Sequence, residues 1–150
     1  MRHPLTMLCL VAVVAGAIVT EPIYADSEGA CLQVSARYNR IPVDLLRAVH
    51  RQEAGRVGGW HVNADGSVDY GVMQINSRWL PVLAPQGYIA PVLTYDACAN
   101  IMAGAWILAQ ALEWGGAWNH SGIDGRVYWR AVGDYHSHTP RLNRAYAEQV

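Results

Sequence analysis

Asp65-Gly-Ser-Val-Asp-Tyr-Gly-Val-Met-Gln-Ile-Asn-Ser-Arg-Trp79 decides how the rest of the chain is read. Asp65-Gly66-Ser67 supplies turn chemistry, Val68-Asp69-Tyr70 is a short extended piece, and the helical periodicity of the flanking segments is absent. A loop or small hairpin is expected over residues 56–70, which carry two acids, Asp65 and Asp69. Upstream, Pro42 opens a helix whose buried face is Leu45, Leu46, Ala48 and Val49 and which runs through Glu53, with Gly55 expected as its stop. Glu53 is the odd residue of that helix, a carboxylate at the end of an apolar face. A buried carboxyl resists ionisation and can deliver a proton near neutral pH, whereas a solvated Glu at a helix end does neither.

Further out, the pattern is helical on both sides. Cys31, Val34, Ser35 and Tyr38 define a first helix ending near Asn39, and a short helix is expected around Ser77 to Leu83. The strongest helical signal runs from about Asp96 to Trp114, with Ala99, Met102, Ala103, Trp106, Ile107 and Gln110 at three-and-four spacing, and Gly115-Gly116 stops it. Two more helices follow, from about Asp124 to Tyr135 and from Pro140 to the C-terminus. At 150 residues, 52% hydrophobic and 15% charged, the chain has the size and composition of one globular domain and is not a disordered tail. Its net charge of -1 argues against a broad nucleic-acid-binding surface.

The first residues read as an address. Met1-Arg2-His3-Pro4 is basic, Leu5 to Val19 is apolar and Glu21 to Ala25 is polar-to-small, the layout of a secretory signal peptide spanning residues 1–25. The apolar run is shorter than the roughly 20 residues a spanning helix needs, so cleavage after Ala25 is favoured, the alternative being an uncleaved anchor. Cys9 falls within it, leaving Cys31 and Cys98 in the mature chain, residues 26–150. An even pair in an exported chain reads as one disulfide, the alternative being two buried thiols. As a disulfide it stabilises the fold by on the order of 4 kcal/mol in the chain-entropy model.

The Asp65–Trp79 string resembles the active-site hairpin of animal c-type lysozymes. The chain as a whole is more similar to the bacterial soluble-lytic-transglycosylase (SLT) domains of the same superfamily, particularly the small exported members associated with type III and type IV secretion, conjugation and pili. Pro42-Val-Asp-Leu-Leu46 leads to Glu53 as the family's Pro-x-x-Leu-Leu helix leads to its catalytic Glu. Gly71-Val72-Met73-Gln74-Ile75 meets the Gly-x-Met-Gln-Ile element, and Asp96-Ala97-Cys98-Ala99-Asn100 with Gly104 to Leu108 resembles the cysteine-bearing helix. Ala131 to Pro140 resembles the Ala-Tyr-Asn-Ala-Gly element in a Tyr-His-Ser variant. Three departures stand out: Ala54 follows Glu53 where the family usually has Ser, His136 stands where Asn is common, and His138 stands where a small residue is commoner.

The resemblance implies a mainly α, α+β lysozyme-like domain that acts on peptidoglycan glycan strands as a lytic transglycosylase in the periplasm. It also implies Glu53 as catalytic acid and base, Gln74 orienting substrate, and Tyr135 hydrogen-bonding near the acid or the acetamido group. Met73 is expected mainly to pack, with a second role as a saccharide-facing wall. Asp69 is either a second catalytic acid or a residue that holds its hairpin by bonding backbone amides, the latter being favoured. No cofactor and no metal is expected, since His136 and His138 lack further ligands at metal-like spacing. Trp60, Trp79, Trp114, Trp118 and Trp129 are read mostly as core, with sugar stacking as the alternative. The expected partners are the glycan strands and subunits of a secretion, conjugation or pilus apparatus, with the enzyme a monomer. The competing readings are a hydrolytic muramidase using Glu53 with Asp69, and a weakly active wall-binding assembly factor.

Overall fold

A computed structural model describes residues 27–117 and 124–150. The proposed signal peptide and Trp118 lie outside the described residues. Among the described residues, seven α-helices and one three-stranded sheet follow in the order α1 (Ser27–Tyr38), α2 (Val43–Glu53), β1 (Trp60–Val62), β2 (Val68–Tyr70), β3 (Ile75–Asn76), α3 (Leu80–Leu83), α4 (Ala90–Tyr95), α5 (Ala97–Trp114), α6 (Gly125–Asp134) and α7 (Pro140–Gln149). This is the mainly helical, lysozyme-like arrangement expected, with the sheet standing beside the helices.

α5 is the axis of the core. It is apolar on every side, as a helix enclosed by its neighbours must be, and buries Ile101, Ala105, Leu108 and Leu112 among others. Asp96 caps its start, accepting a hydrogen bond from the Ala99 amide at 3.0 Å. α1 lies against α5 and is tied to it by the Cys31–Cys98 disulfide, with Cα atoms 5.2 Å apart. α2 packs Leu45, Leu46 and Val49 into the same core. α6 and α7 pair with each other, and α6 also meets α5.

The sheet is antiparallel in the order β1-β2-β3, with His61 opposite Asp69 and Asp69 opposite Asn76. The hairpin read from the sequence therefore exists and gains a third strand from Ile75-Asn76. α4 was not anticipated: Pro91 occupies its first turn, where a missing N–H costs nothing, and its six residues are too few for a periodic signal. The short helix expected around Ser77 to Leu83 is a 3-10 turn (Ser77–Trp79) running into α3.

The end of α2 differs from the sequence expectation in an instructive way. Ala54, not Gly55, takes the left-handed capping conformation, with φ 50° and its N–H bonded to the His50 carbonyl. Gly55 serves a different need. A Cβ there would stand 2.1 Å from the Gly71 carbonyl oxygen and 2.9 Å from Gln74 Nε2, so only a bare backbone allows the turn after α2 to approach the turn after β2. That approach brings the end of the Glu53 helix against the Gly71–Ile75 segment.

Candidate active site

Glu53 ends α2 and is largely withdrawn from water. Its Oε1 accepts a hydrogen bond from the hydroxyl of Tyr146 on α7. Burial raises the Glu53 carboxyl from its ordinary 4.5 to about 7, the Tyr146 hydroxyl opposes the rise, and the negative charge of Asp69 adds to it. The group therefore divides between acid and base forms near neutral pH, the condition for a residue that first donates and then accepts a proton.

Tyr146 is only 5% exposed, and its ring packs against two others. The imidazole of His136 lies parallel to it at 4.9 Å and the ring of Tyr135 at 6.4 Å. Burial and the nearby Glu53 charge push the Tyr146 hydroxyl well above the usual phenol range, so it stays protonated and remains a donor to Glu53. Gln52 and Gln149, bonded at 2.7 Å, fasten α2 to α7 one residue before the acid. Sequence reasoning missed Tyr146, because a Tyr on the buried stripe of a C-terminal amphipathic helix looks like any core aromatic. His136, the departure from the family pattern, is a flat lid on that tyrosine.

Tyr135 reaches the same neighbourhood by a different bond. Its hydroxyl donates to the Met73 carbonyl at 3.0 Å, fixing the Gly71–Ile75 segment to the end of α6. Its own ionisation is suppressed by burial and by the Glu53 and Asp69 charges. Tyr135 was expected to hydrogen-bond near the acid or the acetamido group; the direct bond to the acid comes from Tyr146.

The Gly71–Ile75 segment is held from below by Asn100, a fully buried side chain of α5. Asn100 accepts from the Met73 amide at 2.7 Å and donates to the Tyr70 and Leu93 carbonyls at 2.8 and 2.7 Å. Gly71, with φ 67°, is needed there because a Cβ would lie 2.2 Å from the Leu93 carbonyl oxygen. Met73 is completely buried against Gly104 of α5, so of its two expected roles packing is the one its side chain fills; no side-chain surface remains for a saccharide wall. Gln74, at φ 48°, donates through Nε2 to the Gly71 carbonyl at 2.8 Å, over the bare Gly55 backbone. Its amide oxygen has no protein partner among the described residues.

Asp69 sits on β2 with both oxygens engaged. Asn63 Nδ2 donates to Oδ2 at 2.8 Å and Asn76 Nδ2 to Oδ1 at 2.7 Å, and both amides also reach Ser67 Oγ. The expected bonds to backbone amides are replaced by side-chain amides from the two flanking strand ends. Neither Asn was singled out from the sequence, although Asn76 belongs to the quoted motif. Asp69 is fixed in this way within electrostatic reach of Glu53.

The tryptophans correct the composition-based expectation. Trp60, Trp114 and Trp129 are 64%, 70% and 46% exposed, and Trp79 is half-buried, stacked on Trp114 at 6.4 Å and edge-on to Trp106 at 6.0 Å. Outward-facing aromatic rings dominate where core was expected.

The family model for the Transglycosylase SLT domain matches residues 30–149. Among curated proteins, X polypeptide of Escherichia coli is 35% identical over 128 residues, covering 80% of this chain and 69% of its own length. Invasion protein IagB of Salmonella typhimurium (strain SL1344) is 32% identical over 124 residues, covering 79% and 71%. Protein IpgF of Shigella flexneri is 34% identical over 119 residues, covering 76% and 71%. With a helix-borne acid, the Gly71–Ile75 segment and the Tyr135 element all inside the matched span, the chain belongs to the transglycosylase SLT domain family, the lytic transglycosylases that cleave glycosidic bonds of peptidoglycan.

Proposed function

We propose that this protein is exported to the periplasm as residues 26–150. There it cleaves the β-1,4 bond between N-acetylmuramic acid and N-acetylglucosamine with formation of a 1,6-anhydro end. The observation that carries the reading is Glu53, buried, bonded to Tyr146 and raised to about 7. In its protonated form Glu53 donates to the glycosidic oxygen as the bond to the anomeric carbon breaks. The N-acetyl group of the muramic sugar stabilises the developing positive charge from within the substrate. The Glu53 carboxylate then takes the proton of the 6-hydroxyl, whose oxygen closes on the anomeric carbon.

Asp69 has a place in this course as a fixed charge. Each of its oxygens accepts one side-chain amide, from Asn63 and Asn76, so the carboxylate is held in one orientation. An immobilised carboxylate is suited to stabilising oxocarbenium-like charge and to keeping Glu53 protonated. Gln74 and Tyr135 are the proposed substrate-facing polar groups, Gln74 through its unpaired amide oxygen and Tyr135 through the acceptor side of its hydroxyl.

Among the described residues no helix is long and apolar enough to cross a membrane. We assign the biological role to local opening of the wall for a type III or type IV secretion, conjugation or pilus apparatus. The resemblance to small specialised SLT proteins and the similarity to a protein named for invasion support that role. Mass spectrometry of sugars released from purified peptidoglycan, with Glu53→Gln as control, tests the chemistry: 1,6-anhydromuramic ends are expected, and reducing ends would instead favour the hydrolytic muramidase.

A further inference from the structure

The net charge of -1 conceals a local concentration of positive charge. α6 and α7 carry Arg126, Arg130, Arg141 and Arg144, and none of these has an ion-pair partner among the described residues. Asp134, four residues after Arg130, is already engaged by His138 at 3.1 Å and by Asn143 at 2.8 Å, and Asp124 accepts the Arg126 and Val127 amides at the start of α6. Between the two helices runs an open groove of about 710 Å³ with Arg126, Arg130 and Arg144 on its sides, the exposed ring of Trp129 at one wall and Glu148 as its single acid.

The groove does not stand alone. A second cavity of about 360 Å³ lies between the end of α5, the turn after β3 and α6, walled by the stacked Trp79 and Trp114, and Arg130 and His138 border both spaces. A polymer passing the Trp79–Trp114 wall therefore meets the arginines next. Asp134, which lines the aromatic cavity, directly precedes Tyr135 in the chain, so the cavity and the Tyr135 element share the end of α6.

We infer that the α6–α7 groove binds the carboxylates of the acidic peptides that branch from the glycan strand, while the sugar rings lie along the tryptophans. The inference rests on peptidoglycan being the substrate, and adds that the enzyme selects strands that still carry their peptides. Three features fit that occupant. Guanidinium groups pair with planar carboxylates through two parallel hydrogen bonds. An exposed indole offers a surface to the aliphatic parts of a peptide. Three guanidinium groups lining one groove suit a short chain bearing several carboxylates.

Arg126→Gln and Arg144→Gln, combined in a Glu53→Gln chain so that no cleavage occurs, are compared with Glu53→Gln alone for co-sedimentation with peptide-bearing sacculi and with glycan stripped of peptides by an amidase. The parent is expected to prefer peptide-bearing wall by about tenfold, the size expected of a few partly exposed charge pairs, and the double Arg variant to lose that preference while binding stripped glycan as before. The preference should shrink as salt is raised. A double Arg variant that keeps the preference, or a parent that binds both forms alike, overturns the assignment. In the latter case, an acidic protein surface becomes the occupant to test. Anhydro-sugar release by the chain with intact Glu53 is scored separately on stripped glycan, so a failure of the transglycosylase reading is seen apart from a failure of the groove.

Discussion

Glu53→Gln should make the folded protein more stable at high pH than at low pH relative to the parent, even as it abolishes the chemistry. In the unfolded chain the carboxyl ionises near 4.5, and in the folded chain it holds its proton to about 7. Below 4.5 both states are protonated and Glu53 costs nothing. Between 4.5 and 7 the unfolded state alone releases its proton, so the folded state binds more protons and stability falls as pH rises. Above 7 both are ionised and the penalty is constant at about 3 kcal/mol. Gln has nearly the same shape, its carbonyl can accept the Tyr146 hydroxyl, and it does not titrate. The difference in unfolding free energy between variant and parent should therefore shift by about 3 kcal/mol in favour of Gln between pH 4 and pH 8, on the order of 10 °C in Tm for a domain of this size. Urea titrations at a series of pH values with the disulfide intact measure it. A difference that stays flat with pH would refute the idea that burial holds Glu53 protonated, as would one that moves in favour of Glu.

The residues that set this value can be tested one by one. Removing the Tyr146 hydroxyl with Tyr146→Phe takes away the one influence that lowers the Glu53 value, so the alkaline limb of the pH–activity profile should move up. Asp69→Asn removes a raising charge and should move the same limb down; unchanged limbs in both would remove these groups from control of the acid. Gly55→Ala forces a Cβ onto the Gly71 carbonyl and should cost about 2 kcal/mol in denaturant titration, with activity falling further because Gln74 and Glu53 are pushed apart. Asn100→Ala leaves the Met73 amide and two carbonyls buried without a partner and should cost about 3 kcal/mol or more, whereas a loss below 1 kcal/mol would mean that water replaces the side chain.

The helices that frame the site were legible because their signals are local. Asp96 before an apolar run and Pro42 before Leu45-Leu46 mark starts that need no tertiary partner, and α5 repeats its pattern over eighteen residues. Glu53 could be singled out for a similar reason, as a charge where the apolar face predicts none. The groups that complete the site were hidden because their meaning is tertiary. Tyr146 and Asn100 become significant only when α7 crosses the end of α2 and α5 passes beneath the Gly71–Ile75 turn. Gly55 looked like a helix stop and is a point of close approach, a distinction that depends on a segment sixteen residues further on. The exposed tryptophans and the arginine groove were missed by composition because counts average over a surface on which both are localised.

The central claim is the use of Glu53 as both acid and base in an intramolecular closure. Residues 26–150 should release from purified peptidoglycan sugars that end in 1,6-anhydromuramic acid, and Glu53→Gln should release none. Reducing ends in place of anhydro ends, or anhydro products that persist in the Glu53→Gln chain, would contradict it.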